Sequence, residues 1–476
     1  MADVLRRRSL LSVLRESIVG VVEDAARPEA SDPTQAPAFE TVGSGSDVVE
    51  LLRALIRFDT SNPPGNERPC LEFVGRLLAD ANVDHRYIGV DAERPNLVAR
   101  VPGQGAAPPL LLYGHVDVVP ANANEWSHPP FGADLVQGEV WGRGALDMKG
   151  GVAMLVSALI RIASSGEPPP GDLILALTSD EEAGSTAGMK FLVEEHAELF
   201  GGARHALSEF GGYTQWHGTR RLVPIAIAEK QRCLICATVS GPGGHAATVV
   251  RGTATAKLGA LLSRLGSRWL PVHVTRPARV TLDAMSKALP IHERLALQGL
   301  LVRALTDRLI AAFGSDALLL APLLHNTATP TDVQGGGATN VIPTELTVDL
   351  DGRVLPGHTP AQLVSELEGM FSGLASFKVI AEEPAVPAEP DLTLLPLLAG
   401  VIRERDPGSV PIPMLLSGYT DARYVSKLGV QTYGFLPMQL PRHITTSLIH
   451  APNERVPAAA LEYGVGCLVD VVRRYR

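Results

Sequence analysis

The chain has 476 residues, 45% of them hydrophobic, which is enough for two or three domains and too apolar for wholesale disorder. A formal charge of −9 and a pI near 5.8 argue against a basic nucleic-acid surface, and no apolar run is long enough for a membrane span. The four cysteines, Cys70, Cys233, Cys236 and Cys467, give no disulfide framework and suit a reducing compartment, so a cytoplasmic protein without nucleic-acid or membrane partners is expected.

At the N-terminus, Arg6-Arg7-Arg8 precedes an apolar Ser9–Leu14 stretch that faintly resembles a twin-arginine export signal. Arg15 and Glu16 interrupt it, so a short amphipathic helix is the preferred reading. Residues 27–46, rich in Pro, Ala, Ser and Gly, read as a linker that completes an extension over 1–46. From Val48, helix and strand patterns alternate. Helical periodicity covers 48–57 and 67–80, and Asn96–Val101 and Leu110–Tyr113 are short apolar strands. A buried helix over 148–164 follows, then the strands Leu173–Thr178 and His205–Leu207. Such alternation predicts an α/β sheet covered by helices on both faces, with ligands gathered at the carboxyl ends of the strands.

Near residue 225 the pattern changes. Leu222–Ala228 and Arg232–Val239 are strand-like and Thr253–Leu265 is helical, while the stretch to about 330 carries no assigned element. Thr344–Asp351 alternates strictly, as a half-exposed antiparallel strand does. A helix over Ala361–Phe371 and a strand over Phe377–Glu382 follow. These predict an inserted β-α-β-β-α-β domain over 226–386, splitting a catalytic domain into 47–225 and 387–476. The second part resumes with a helix over 391–403 and ends with one over 457–475. The CxxC of Cys233 and Cys236 lies within a predicted strand and has no second pair, so it is expected to pack in a core.

The chemistry-bearing residues fall just after predicted strands. A histidine ligand needs an acceptor on its second ring nitrogen, and Asp117, two residues after His115, can supply one. Asp147 lies in a glycine-rich GRGALDMKGG loop, where its carboxylate could cap a helix or bridge two cations. The adjacent Glu181 and Glu182 close an apolar strand, and such a pair repels unless a cation intervenes. Glu209 sits between an apolar strand and a Gly pair, and His450 ends a non-periodic segment before the last helix. Singly, each has a commoner structural reading as a turn, cap or loop residue. Together they make a ligand set for a pair of divalent metals, with Glu181 free to act as a base: metal-assisted hydrolysis. No Gly-x-Ser-x-Gly elbow with a triad is evident, which argues against a serine hydrolase.

Taken in order, HVD, GRGALDMKGG, TSDEEAGS, SEFGG, GPGGHAA and HAPNERV resemble the M20 family of co-catalytic zinc amidohydrolases and peptidases, over residues 48 to 476. The resemblance implies a phosphorylase/hydrolase-like mixed sheet with an inserted ferredoxin-like lid and dimerisation domain. It implies two Zn2+, with Co2+ or Mn2+ as substitutes. One zinc would be held by His115, oriented by Asp117, and by Glu209; the other by Glu182 and His450; Asp147 would bridge them. Glu181 becomes the general base. His245 becomes the oxyanion-stabilising residue, lent to the other subunit of a homodimer. Asn340 and Arg353 would hold the substrate's carboxylate end, and Gly418 lies in a substrate loop that carries Tyr419 where many members have Gly. A cis peptide between Asp147 and Met148 is implied too. Glu at position 209 is commoner among deacylases, so the expected substrate is an N-acyl amino acid, with a dipeptidase or carboxypeptidase as the alternative. A non-catalytic relative usually lacks a ligand or the base, and here all are present.

Overall fold

A computed structural model describes residues 47–314 and 317–476; the expected N-terminal helix and linker lie outside them. The chain forms two units. The first comprises residues 47–227, Asp391–Pro413 and Thr420–Arg476, and the second Ala228–Pro390 with Met414–Tyr419.

Among the described residues, the first unit is built on a nine-stranded sheet. Its order is Asp84–Ile88, Asn96–Val101, Leu173–Thr178, Leu110–His115, His205–Ser208, Gln431–Gly434, Arg220–Glu229 and Ser409–Leu416, with Gln215–His217 paired to Arg220–Glu229. The central four, from Leu173–Thr178 to Gln431–Gly434, run parallel. Every residue of Leu110–His115, Leu173–Thr178 and His205–Ser208 is buried, as expected of parallel strands covered on both faces. Successive side chains alternate between those faces. Leu111, Tyr113, Ile174, Ala176 and Ala206 pack on one side with Met189, Leu192, Tyr424 and Val425. On the other side lies Lys149–Ala163, which packs against Val48–Ile56 and Ala458–Arg474. No described helix is long and apolar enough to cross a membrane.

The second unit holds a four-stranded antiparallel sheet in the order Thr327–Gln334, Glu345–Val354, Gln231–Ser240, Ser376–Glu382. With Ala254–Leu265 and Pro360–Phe371, this is the expected ferredoxin-like arrangement. Cys233, Ile235, Ala237 and Val239 point into its core, against Leu258, Leu363 and Phe371. Cys236, three residues from Cys233, falls on the opposite face and is only half-buried, so one cysteine of the CxxC packs in the core.

Two features depart from the sequence reading. The stretch left unassigned holds the helices Arg276–Ala288, Ile291–Gly299, Arg303–Ala312 and Ala317–Leu324. Their brevity and the intervening Pro271, Pro290 and Pro322 leave no long periodic signal. Secondly, Met414–Tyr419 joins the second unit. Leu415 N donates to Thr281 Oγ1 at 2.9 Å, and the Gly418 carbonyl accepts from Lys230 N at 3.3 Å. The segment joins the unit that satisfies its backbone hydrogen bonds, which its own residues do not announce.

Candidate metal centre

Seven predicted residues of the first unit come together, most of them from the carboxyl ends of the parallel strands; Asp147 comes from the loop between Glu139–Trp141 and Lys149–Ala163, and His450 from the segment before Arg455–Pro457. His115 is the last residue of its strand, Glu181 and Glu182 follow Thr178, and Glu209 follows Ser208. His115 is 2% exposed. Its Nδ1 lies 2.9 Å from the Asp117 carbonyl oxygen and 3.4 Å from Asp117 Oδ1. Nε2 faces Asp147 Oδ1 at 3.2 Å and Glu209 Oε2 at 3.7 Å, and it is the nitrogen that would turn its lone pair to a bound cation while Nδ1 stays on Asp117. His450 Nε2 stands 3.3 Å from the other Asp147 oxygen and 3.1 Å from Glu182 Oε1. Two ligand triplets result, His115–Asp147–Glu209 and Asp147–Glu182–His450; within each, the donor atoms all lie within 4.8 Å of one another. Asp147 belongs to both.

Asp117 does more than orient the imidazole. Its two carboxylate oxygens accept the backbone N–H groups of Glu181 and Glu182, each at 3.1 Å, and Asn62 Nδ2 at 2.9 Å. The histidine and the acidic pair are thus set by one buried carboxylate. The Asp147–Met148 peptide is cis, as the resemblance implied. Asp180, Phe210 and His450 hold φ of +67°, +58° and +62°, left-handed backbone next to or at the candidate ligands. Strain of this kind collects where a site demands it.

Electrostatics show the charge the site is built for. Burial, then Glu209 and Asp421, push the Glu181 carboxyl well above the usual range. Burial likewise lifts Glu209 to about 7, against its bond to His115. His450 rises to about 10 through its bonds to Asp147 and then Glu182. Burial would raise Asp147 too, but the His115 and His450 bonds outweigh it and hold it well below the ordinary value. Carboxylates crowded out of water around two imidazoles leave uncompensated negative charge, which divalent cations would neutralise. A cavity beside Asp147 and Glu209 is walled by Leu146, Phe210, Tyr213, Leu436 and Met438.

His245, Asn340, Arg353 and Gly418 lie in the second unit. His245 pairs with Val341, and Ala246 N donates to the Asn340 carbonyl at 3.0 Å, so the first two are neighbours on an exposed turn. His245 Nδ1 accepts from Ala247 N at 3.1 Å, which in the neutral ring leaves the proton on Nε2 of an exposed side chain. Arg353 is already engaged: Nε meets Asp351 Oδ1 at 2.5 Å, and the guanidinium lies 4.5 Å from the Tyr419 ring centroid. Gly418 immediately precedes Tyr419 in the chain.

Sequence reasoning missed Glu454. It is fully buried and accepts from Arg143 Nη1 at 2.7 Å, Gly144 N at 3.0 Å, Leu146 N at 2.7 Å and Asp147 N at 3.0 Å. Within that loop Gly144 holds φ +85°, and a Cβ on Gly150 would collide with the Ala145 carbonyl. The available signal was a carboxylate four residues after His450 inside HAPNERV. Arg423 was missed as well: it is 1% exposed, with Nη1 4.0 Å from Glu181 Oε1.

Residues 111–474 match peptidase family M20/M25/M40. The chain is 30% identical over 443 residues to a succinyl-diaminopimelate desuccinylase of Alkalilimnicola ehrlichii, covering 90% of this chain and 99% of that one. It resembles in fold an M20 family metallo-carboxypeptidase of Sulfolobus solfataricus, with TM-score 0.63 and 17% identity over 90% of this chain and 98% of that one. It also resembles in fold a dinuclear metal-binding M20 peptidase of Bacillus subtilis, with TM-score 0.55 and 13% identity over 90% and 98%. The chain belongs to peptidase family M20/M25/M40 and is a metal-dependent hydrolase of an amide or peptide bond.

Proposed function

We propose that the protein is a dinuclear zinc hydrolase that removes the acyl group from an N-acyl amino acid. The observation that carries this reading is the shared carboxylate: Asp147 lies 3.2 Å from one imidazole and 3.3 Å from the other, each in its own triplet. Two imidazoles with carboxylate oxygens suit Zn2+, and Co2+ or Mn2+ as substitutes, better than an all-oxygen cation such as Mg2+. His115, Asp147 and Glu209 would hold one ion and Asp147, Glu182 and His450 the other. Bound there, the pair supplies a Lewis acid and water of lowered pKa.

Glu181 takes the proton of the attacking water and returns it to the leaving amine as the C–N bond breaks. Arg423 and the Asp117–Glu181 backbone bond hold Glu181 in place. His245 donates from Nε2 to the oxyanion, and we assign it to the site of the partner in a homodimer. Asn340, Arg353 and the loop at Gly418 receive the free carboxylate of the amino acid, with residues 226–386 as lid and dimerisation domain. Deacylation is favoured over dipeptidase or carboxypeptidase action by Glu at position 209, and it accords with the desuccinylase relative. The apolar wall beside Asp147 suits an uncharged acyl or side-chain group. Four unpaired cysteines accord with a cytoplasmic setting.

The test is a panel of N-acyl amino acids and dipeptides assayed with Zn2+, Co2+ and Mn2+. Metal-dependent release of free amino acid from the acyl substrates is expected. Turnover of the dipeptides alone would replace the deacylase with the peptidase, and no turnover of either would sink both.

A further inference from the structure

The second unit contains a third set of metal-type donors, remote in sequence from the centre above. His273 lies between the helices Ala254–Leu265 and Arg276–Ala288, His358 in the turn after Glu345–Val354, and Glu366 on Pro360–Phe371. One donor atom from each falls within 4.8 Å of the others. Two donors on a tetrahedral Zn2+ at about 2.0–2.2 Å stand roughly 3.3–3.6 Å apart, so little movement would bring all three onto one ion. His273 Nε2 lies 2.6 Å from Glu366 Oε1, a hydrogen bond that an ion would replace as the pair opens by about 1 Å, and the two imidazole rings stand 4.2 Å apart at 52°.

The surroundings hold these donors in place. Asn326 is 1% exposed, and its Nδ2 faces both Glu366 oxygens at 3.1 and 3.2 Å. Its Oδ1 accepts from Leu355 N at 2.9 Å, tying it to the chain that enters the His358 turn. The backbone N–H of His273 donates to the Leu324 carbonyl at 2.7 Å, and the backbone N–H of His358 to the Leu355 carbonyl at 3.0 Å. The amide behind the Glu366 carboxylate is the kind of support a metal ligand set uses, and the backbone bonds fix where the two histidines leave the chain. Glu366 is the only one of the three donors that carries a formal negative charge.

We propose that His273, His358 and Glu366 form a third Zn2+ site, open at its fourth position to water, that fastens three segments of the second unit together. It does not depend on the reaction proposed for the dinuclear centre. The test counts zinc by elemental analysis after the stripped, full-length protein is reloaded with Zn2+ and desalted. Wild type should retain three equivalents, Asp147→Ala one, and Asp147→Ala/His358→Ala none. Glu366→Gln, which preserves shape, should release the same single equivalent if His358→Ala fails to fold. Zn2+ should also raise the melting temperature of Asp147→Ala but not of the double variant. A count that His358→Ala and Glu366→Gln leave unchanged overturns this site. A count that Asp147→Ala leaves unchanged counts instead against the dinuclear centre.

Discussion

Replacing Glu454 with Gln should cost the protein both stability and metal. The side chain is fully buried, and each oxygen accepts two donors: Arg143 Nη1 and Gly144 N on Oε2, Leu146 N and Asp147 N on Oε1. Burial pushes its pKa up against Arg143 and the backbone donors, yet four donors aimed at two oxygens fit only the carboxylate. Whichever way the Gln amide turns, its NH2 faces two of those donors. Two buried N–H groups then lack an acceptor, at about 1–3 kcal/mol each. Arg143, 3% exposed, keeps its charge without its partner, and breaking a buried pair costs about 3–5 kcal/mol. These costs overlap, so a loss of about 3–5 kcal/mol is expected, a large share of a typical domain's roughly 5–15 kcal/mol. Because Asp147 N is one of the four donors, the carboxylate shared by the two candidate triplets also loses its support. Metal affinity should fall about 10–100-fold, as it does when such supports are removed. Urea unfolding of the metal-stripped protein gives the first number, and competition with a chromophoric chelator gives the second. A variant within about 1 kcal/mol of wild type, with unchanged metal affinity, would refute this account of the loop.

Three further outcomes follow from the same geometry. Glu181→Gln should lower kcat by at least about 10²–10⁴-fold with metal content retained, as checked by elemental analysis, because the amide keeps the shape but takes no proton. Glu181→Gln mixed with His245→Ala should regain a sizeable fraction of activity after subunit exchange; no recovery in demonstrated heterodimers would place His245 in cis or outside the reaction. Lys230 is fully buried, donates to the Pro322 and His325 carbonyls at 3.2 and 2.9 Å, and is pushed down from 10.5 to about 7 by burial, then by Arg353. The folded state therefore binds fewer protons than the unfolded state between those two values, so stability rises with pH across that window and is flat below it. Relative to Lys230→Met, wild type should gain up to about 1.4 kcal/mol per pH unit from pH 7 upward, measured by chemical unfolding.

Much of the first unit was legible because its signals are local. Asn96–Val101 and Leu173–Thr178 are strands at the predicted residues, since apolar β-rich runs between turn signals leave little alternative once helices cover both faces. The helix expected from 391 begins at Leu395, close to Pro396 in its first turn. The six motifs fixed the kinds of side chain at the strand ends, and with them a hydrolytic reading.

What the sequence determined by itself was composition in order: which carboxylates and imidazoles follow which apolar runs. Only the tertiary structure decided which of their atoms meet. It gave Asp147 one oxygen toward each imidazole, set the Glu181–Glu182 loop on Asp117, and closed the bridging loop over Glu454. It moved Met414–Tyr419 into the second unit and gathered His273, His358 and Glu366 from three separate segments. The physical reason is one of range. Strand and helix periodicities are set by neighbours two to four residues apart, whereas a buried polar group must find its partner wherever the chain's packing delivers one.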